Sequence, residues 1–271
     1  MERLVEKQKQ WVKDIRRKVL DLTYATGSHG AHLGAGLSSA EIFAVLYSGI
    51  LDISPSNATS PTRDRIIQSR GHGALAQYAA LWKAGFMTEQ ELDTFDKNGT
   101  HFYSHAKRDL SHGIEFSGGS LSLGLSFAVG VALSCKRKAM DNNRVIAVVG
   151  DGECDEGLVW EALMAASHFK LDNLTVIVDR NGYQLDGATA DIMHNGALEK
   201  KFEAFGFAVN TVDGHDCAAL SRALTARYDV PNVILADTVK AHGISFLEND
   251  KKSHMPALTK KQYEQALSEI D

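Results

Sequence analysis

Four short apolar runs in the second half of the chain constrain its fold more than any other feature. They are rich in β-branched residues, are separated by helix-like segments, and occupy residues 145–149, 174–178, 207–212 and 233–238. Nearly every position in them is apolar, rather than every second one, as strands buried on both faces require. This order of elements predicts an α/β fold with a doubly wound, mainly parallel sheet and helices on both faces.

The first half of the chain is predicted to be mainly helical, with loops. Residues 4–22 place apolar side chains at three- and four-residue steps, which predicts an opening amphipathic helix, and the apolar stretch 121–133 predicts a buried one. Capping-box patterns predict further helix starts at three pairs: Ser38 with Glu41, Thr88 with Glu91, and Thr259 with Gln262. No linker or low-complexity segment interrupts the chain, so residues 1–271 are interpreted as one domain.

Composition and charge exclude several classes of protein. The chain has 29 Lys and Arg against 34 Asp and Glu, a net charge of −5, without the cationic excess that binding to nucleic acids or anionic membranes requires. Its first twenty residues lack an apolar leader segment, and no run approaches the roughly 18 apolar residues of a membrane span. Three widely spaced cysteines fit neither a disulfide framework nor a cysteine zinc site. We therefore expect a cytoplasmic protein with small-molecule substrates, no nucleic-acid or membrane partner, and buried thiols.

Polar residues directly follow two of the predicted strands. Asp151 lies between Gly150 and Gly152 after one strand, and Asn181 lies just after the next. If the two strands are neighbours, their carboxyl ends lie about 5 Å apart and the two side chains meet at one edge of the sheet. A carboxylate and an amide oxygen suit a hard cation such as Mg²⁺, and the glycines allow a diphosphate to approach the backbone. The alternative is an ordinary turn in which Asp151 caps the following helix.

Longer motifs point to a specific family. The triplet GDG at 150–152 is separated from Asn181 by 28 residues, which resembles the thiamine diphosphate motif. The neighbouring segments ECDEG, WEA, KLDNL and NGYQLDG resemble the amino-terminal part of transketolases. Farther upstream, HLGAGLSS at 32–39, SRGHG at 69–73 and GGSL at 118–121 occur in the order that this family uses. The resemblance extends over nearly the whole chain.

The resemblance implies a thiamine diphosphate-binding fold and a role for each matched residue. Asp151, Asn181 and the Tyr183 carbonyl would hold Mg²⁺, or another divalent cation such as Ca²⁺ or Mn²⁺, which bridges the cofactor's diphosphate. Gly150 and Gly152 would border that diphosphate. Further cofactor contacts are implied for His72, for Gly119 and Leu121 near the aminopyrimidine, for Leu185 near the thiazolium, and for Glu156 in a carboxylate network that reaches a neighbouring protein chain.

The active-site histidines of the family match four residues here, namely His32, His72, His105 and His254. Histidine suits proton transfer near neutral pH, and a cluster of histidines can relay protons and bind hydroxyl groups. The last position is open between His242 and His254, and the distance from the chain end favours His254. Other histidines are interpreted as solvated or core residues, and His215 as a turn or helix-start residue.

The resemblance implies ketol transfer, in which a two-carbon unit passes from a ketose to an aldose with the help of the cofactor. Full-length transketolases continue with a pyrimidine-binding domain, which supplies the glutamate that activates the cofactor, and with a carboxy-terminal domain. We therefore expect the first subunit of a split transketolase, with both domains on a separate partner and a heterotetrameric assembly. The alternatives are another thiamine diphosphate enzyme, such as a 2-oxoacid dehydrogenase α subunit or a deoxyxylulose phosphate synthase, and a non-catalytic paralogue.

Three departures from the common family pattern bear on the substrate. Ser104-His105-Ala106 stands where Gly-His-Pro is usual, His112 replaces a proline, and Ser122-Leu123 replaces a Gly-Gln pair. We expect these residues around the substrate channel, and hence an unusual sugar substrate, such as a branched or sulfonated one. The sequence leaves open the sugar pair and the residues that recognise a substrate phosphate.

Overall fold

A five-stranded parallel sheet forms the centre of the protein, seen in a computed structural model that describes residues 2–140 and 142–270. The strands lie in the order β1-β2-β3-β5-β4, and all neighbouring pairs are parallel. The predicted α/β fold with a parallel sheet is therefore confirmed. The bounds are β1 Arg65–Gln68, β2 Val145–Gly150, β3 Leu174–Arg180, β4 Ala208–Asp213 and β5 Asn232–Asp237.

Two separate cores lie on the two faces of this sheet. In β2, Ile146 and Val148 belong to one core, whereas Val145, Ala147 and Val149 belong to the other. Because successive strand residues point to opposite faces, a run that is apolar at every position is buried on both sides. The α-helices that surround the sheet are α1 Glu2–Ala25, α2 Leu33–Ser38, α3 Ala40–Val45, α4 Ala74–Lys83, α5 Glu89–Leu92, α6 Leu123–Arg137, α7 Gly157–His168, α8 Thr189–Ile192, α9 Leu198–Ala204, α10 Cys217–Thr225 and α11 Lys260–Ile270.

Strand β1 lies in the first half of the chain, which the sequence predicts to be mainly helical, with loops, and for which it predicts no strand. It has four residues, Arg-Ile-Ile-Gln, and pairs with β2 at one edge of the sheet. So short a run carries little periodic signal, and its two isoleucines go to different cores. Strand β4 at the opposite edge is also less buried than predicted, because only one of its sides has a neighbouring strand.

Two of the three predicted capping boxes are present. Thr88 and Glu91 exchange hydrogen bonds at the start of α5, and Thr259 and Gln262 do so before α11. The third prediction is wrong, because Ser38 ends α2 and its hydroxyl binds the Asp179 carboxylate at 2.6 Å. Helix α6 also differs from the prediction, since it is buried along one face only.

The three cysteines are buried free thiols, as expected. Within residues 2–140 and 142–270, no helix is both long and apolar enough to cross a membrane.

Asp179, at the end of β3, joins four segments of the fold through one buried carboxylate. It forms an ion pair of 2.5 Å with Arg70, which lies in the loop after β1, and both side chains are almost completely buried. It also accepts hydrogen bonds from Ser38 at the end of α2 and from Thr238 after β5. The carboxyl edge of the sheet is thus held together by one charged group.

Asp179→Asn is expected to lower the free energy of unfolding by about 3–5 kcal/mol, because it leaves the Arg70 charge buried without its counter-ion. Denaturant unfolding followed by circular dichroism measures this change. The matched control is Asp237→Asn, on the neighbouring strand, where a half-exposed carboxylate pairs with Arg180 and the cost is at most about 1 kcal/mol. Equal losses for the two variants would show that Asp179 does not hold this edge.

Candidate active site

A cavity of about 340 Å³ opens at the carboxyl edge of the sheet, beside the ends of β2 and β3. The register pairs Gly150 with Asp179, so Asp151 and Asn181 follow two neighbouring strands, as the sequence predicted. Ligands of open α/β sheets bind at this edge, where loops from several elements meet. All the candidate site residues from the sequence line the cavity, namely His32, His72, His105, Gly119, Leu121, Gly150, Asp151, Gly152, Glu156, Asn181, Tyr183, Leu185 and His254.

Backbone N–H groups from two loops, one after β2 and one after β3, hold the Asp151 carboxylate. One carboxylate oxygen accepts the Gly152 N–H at 2.9 Å, and the other accepts the Gly182 N–H at 2.7 Å. Burial and the nearby Asp179 charge raise the pKa of Asp151 to about 6, although these two N–H groups oppose the shift. A buried carboxylate whose charged form is destabilised in this way gains from a neighbouring cation.

Asn181 and Tyr183 lie in a tight turn directly after β3. The side-chain oxygen of Asn181 accepts the Tyr183 N–H at 3.0 Å, which fixes the direction of the amide. Gly182 takes a φ of 76°, a conformation that favours glycine, and Tyr183 forms a bridge with Ala188 across the turn. Together with Asp151, the turn offers carboxylate, amide and carbonyl oxygens of the kind that Mg²⁺ prefers. The donor set therefore fits a magnesium ion.

Two glycines allow the walls of the cavity to approach closely. A Cβ atom on Gly152 would lie 2.9 Å from the Cβ of Gln184. A Cβ on Gly71 would lie 2.6 Å from both the Gly119 backbone nitrogen and the His105 ring. These distances are too short for a side chain, which explains why both motifs carry glycine at these positions.

Glu153 anchors the loop that carries Gly119 and Leu121. It is almost completely buried and accepts hydrogen bonds from the Ser69 hydroxyl at 2.5 Å, the Ser122 N–H at 2.6 Å and the Gly150 N–H at 3.1 Å. Ser122 takes a φ of 70°, in the left-handed region. The carboxylate thus connects the start of α6 with the end of β2.

Four histidines from four separate segments form one cluster in the cavity. The ring centre of His32 lies 5.9 Å from that of His72, 5.2 Å from His105 and 5.4 Å from His254. His72 and His254 lie 5.6 Å apart. The sequence separates these residues widely, and the fold brings all of them together.

Three of these histidines are neutral at physiological pH. Burial, followed by the neighbouring His254 and His105, lowers the pKa of His32 to about 4. Burial and the nearby Lys240 charge lower that of His254 to about 4 as well. For His72, burial and then Arg70 depress the pKa well below its usual range. Neutral imidazoles can accept a proton at one nitrogen while donating from the other.

The structure places the two candidates for the late histidine in different surroundings. His254 belongs to the cluster, whereas His242 stacks on His215 with ring centres 3.7 Å apart and hydrogen-bonds to Glu248. His29, three residues before His32, is exposed.

Some of the residues that differ from the common family pattern lie at the cavity and others do not. His105 lines it, but His112 contacts Asp109 and Glu91 instead, and Leu123 is exposed on α6. Of these three residues, therefore, His105 lies at the cavity of this chain and His112 and Leu123 do not. His112 is set apart because it follows Asp109 by three residues, so that its ring closes a local turn.

Sequence reasoning missed two cations at the cavity, Arg70 and Lys240. Lys240 is 2% exposed, donates at 3.4 Å to the Gln184 carbonyl and lies 5.5 Å from the Tyr183 ring centre. Burial lowers its pKa, while the Asp151 charge opposes the shift. The sequence feature that could have indicated Lys240 is its position just after β5, which places it at the same edge of the sheet as Asp151. Arg70 lies inside the SRGHG motif, next but one to His72.

Comparison with known proteins gives a consistent result. The family model for the thiamine diphosphate-binding domain of transketolase matches residues 7–270. One of the subunits of the apulose-4-phosphate transketolase of Actinobacillus succinogenes is 38% identical over 95% of this chain and 94% of its own length. A 6-deoxy-6-sulfo-D-fructose transketolase subunit of a Clostridium species is 39% identical over 89% of this chain and 88% of its own.

Solved structures agree with the sequence comparisons. Transketolase from Leishmania mexicana superimposes with a TM-score of 0.89 at 26% identity, and that from Campylobacter jejuni with 0.87 at 27%. They cover 97% and 99% of this chain, which spans 41% and 43% of their lengths. The family match and the two subunit relatives confirm the resemblance and favour it over the other thiamine diphosphate enzymes. This chain belongs to the transketolase family and carries its thiamine diphosphate-binding domain.

Proposed function

We propose that this chain is the diphosphate-binding subunit of a two-subunit transketolase, which moves a two-carbon ketol unit from a ketose to an aldose. One observation carries the proposal: a set of oxygen donors suited to a divalent cation and a cluster of neutral histidines line the same cavity. Either feature alone has ordinary structural explanations. Both features together provide for cofactor binding and for proton transfer to a sugar.

Asp151, Asn181 and the Tyr183 carbonyl would hold Mg²⁺, or another divalent cation such as Ca²⁺ or Mn²⁺. The buried Asp151 carboxylate, with its raised pKa, fits a cation. Gly152, which has no room for a Cβ beside Gln184, would present its backbone to the diphosphate without an intervening side chain. When bound, thiamine diphosphate supplies the nucleophilic carbon that accepts the two-carbon unit. Lys240 adds a buried positive charge to balance the diphosphate.

The histidine cluster would handle the protons and hydroxyl groups of the sugars. His32 lies at the centre of the cluster, and its imidazole is neutral at pH 7. A neutral ring can take the proton from a donor hydroxyl as the carbon–carbon bond breaks and can return it to the acceptor. His72, His105 and His254 would orient the hydroxyl groups around it and support this transfer.

A partner chain would complete the site. Leu185 lines the cavity and is 62% exposed, and Met255, which follows the cavity residue His254, is 43% exposed. Glu156, which also lines the cavity, is exposed at the start of α7. Apolar side chains in this position are suited to contact with another protein. The relatives named as subunits support a separate partner chain. In this proposal, the partner carries the pyrimidine-binding and carboxy-terminal domains and assembles with this chain as a heterotetramer in the cytoplasm.

The donor would be a ketose with an anionic group at its far end. The two relatives are named for apulose-4-phosphate and for 6-deoxy-6-sulfo-D-fructose, so phosphate and sulfonate are both candidates. The test combines this chain, a candidate pyrimidine-domain subunit from the same genome, thiamine diphosphate and Mg²⁺, and supplies a panel of ketoses and aldoses. Ketol transfer by the mixture and by neither chain alone is the expected result.

Other outcomes of this assay separate the alternatives. Absence of both cofactor binding and transfer in the mixture would favour a non-catalytic paralogue. A preference for xylulose 5-phosphate and ribose 5-phosphate would retain the transketolase activity but refute a branched or sulfonated substrate.

Asp151→Asn is expected to weaken Mg²⁺-dependent binding of thiamine diphosphate by at least about 100-fold, because it removes the charged oxygen ligand. Calorimetric titration of the assembled protein measures this affinity. Asp172→Asn is the matched control, since it removes a carboxylate that pairs with Lys136 and lies outside the cavity. Unchanged affinity in Asp151→Asn would overturn the metal assignment.

His32 is expected to make stability fall with acidification. Its pKa is about 4 in the folded protein against 6.5 ordinarily, so the unfolded chain binds the proton first as the pH drops. The contribution is complete above pH 6.5 and is lost as the pH falls towards about 4. Between about pH 7 and pH 5, the free energy of unfolding should fall by about 1–2 kcal/mol more in the parent protein than in His32→Asn.

Urea unfolding at a series of pH values provides this measurement. His29→Asn is the control, because His29 is exposed and only three residues away. A slope in His32→Asn equal to that of the parent protein would show that His32 is not held neutral by its surroundings.

A further inference from the structure

His215 contacts a different part of the molecule with each of its ring nitrogens. It follows β4 in the sequence Gly-His-Asp, and its Nε2 accepts the backbone N–H of Val239 at 2.9 Å. Its Nδ1 lies 3.1 Å from a carboxylate oxygen of Glu41 in α3. Because Nε2 is the acceptor, the proton must reside on Nδ1 and be donated to Glu41. His215 is therefore more than the turn or helix-start residue that the sequence predicted.

Glu41 is itself firmly held. Its other carboxylate oxygen pairs with Arg16 of α1 at 2.5 Å, and its side chain is only 5% exposed. A buried carboxylate with a fixed cationic partner is a rigid acceptor, and it selects one tautomer and one ring orientation of the histidine that donates to it. Arg16 thus holds Glu41, and Glu41 holds His215. Together these contacts direct the Nε2 atom of His215 at the Val239 N–H.

Val239 lies directly before Lys240, the buried cation of the cavity. On one side of this pair, Thr238 donates a hydrogen bond to the Asp179 carboxylate. On the other side, Ala241 donates its N–H to the Gly34 carbonyl at 3.1 Å. The Lys240 side chain passes Gly34 so closely that a Cβ there would lie 3.0 Å from Cε. A small rotation of the Val239 peptide would therefore move the lysine away from the cavity.

A metal site is the alternative explanation for this group, since donor atoms of Glu41, His215 and His242 lie within 4.8 Å of one another. Three contacts contradict it. The His215 and His242 rings stack at 28° with centres 3.7 Å apart, so their nitrogen lone pairs lie in two separate, nearly parallel planes, which is unfavourable for binding one ion. Nε2 of His215 is already occupied by Val239, and Arg16 places a positive charge on Glu41. The group is a hydrogen-bond network rather than a metal centre.

We propose that His215 is a positioning residue of the cofactor site, which holds the Val239 peptide so that Lys240 points into the cavity. The proposal rests on the proposed function, in which Lys240 balances the charge of the cofactor's diphosphate. His215 touches neither cofactor nor substrate and acts only through Val239.

The test compares His215→Leu with His215→Gln. Leucine removes the acceptor, whereas the glutamine amide oxygen can replace Nε2. Thiamine diphosphate with Mg²⁺ is titrated calorimetrically into the assembled protein, and hydrogen exchange of the Val239 amide is measured in this chain. For His215→Leu we expect about five- to tenfold weaker cofactor binding and about tenfold faster exchange at Val239, with His215→Gln close to the parent protein.

Two further variants distinguish positioning from general destabilisation. Asp216→Ala removes the cap of α10, where Asp216 accepts the Ala218 and Ala219 N–H groups, so it should lower the melting temperature without weakening cofactor binding. In a Lys240→Met background, His215→Leu should cause no additional loss of affinity, because both changes act on the same charge.

The outcomes separate this proposal from the proposed function. Full additivity of His215→Leu and Lys240→Met, or equal affinity losses in His215→Leu and Asp216→Ala, would overturn the positioning role. If the parent assembly binds no thiamine diphosphate, the proposed function fails, and the exchange measurement still decides whether His215 holds Val239. Rapid exchange at Val239 in the parent protein would refute that contact.

Discussion

The buried carboxylate of Asp179 is the group on which the geometry of the site depends. Parallel strands deliver loops to one edge of a sheet, but strand pairing does not fix where each loop goes after the strand ends. Asp179 supplies that constraint, because Arg70, Ser38 and Thr238 all converge on it from other segments. Because Asp179 is buried, substitution of any one of its partners leaves a charge or dipole without compensation in the interior.

The same group connects the fold with the electrostatics of the cavity. In addition to burial, which is the larger cause for both groups, the Asp179 charge raises the pKa of Asp151, and its partner Arg70 lowers that of His72. Lys240 acts similarly on His254. The cavity therefore holds a carboxylate whose charge is destabilised and histidines that are kept neutral. A divalent cation with a diphosphate would relieve the first condition, while the second leaves imidazoles available for proton transfer.

The parts of the fold and site that follow from backbone topology could be predicted from the sequence. Asp151 and Asn181 meet because two apolar runs became neighbouring parallel strands, and that inference needs no side-chain packing. Gathering the four histidines required the family resemblance, since nothing in their spacing places His254 beside His32. Lys240 could not be found this way, because its burial depends on the space that Gly34 leaves for its side chain.

Local patterns misled where a tertiary contact outweighed them. Ser38 with Glu41 has the spacing of a capping box, yet the serine hydroxyl binds Asp179 and the glutamate binds Arg16 and His215. Both residues exchange a local helix cap for contacts with distant segments. Thr88 and Thr259, near the surface, meet no such competing partner among the described residues and form the predicted caps.

Ser38 and Glu41, for which the predicted capping box was wrong, belong to one network of contacts that extends away from the cofactor cavity. The Ser38 hydroxyl binds Asp179, which also binds Thr238, and Glu41, three positions after Ser38, binds His215, which holds Val239. Consecutive turns of the α2–α3 region therefore support the two adjacent residues that precede Lys240. The segment after β5 is thus fixed from two sides by side chains whose local sequence indicates only a helix start. A buried cation such as Lys240 needs this rigidity, because its charge is stabilising only where an anion will lie and is costly anywhere else in the interior.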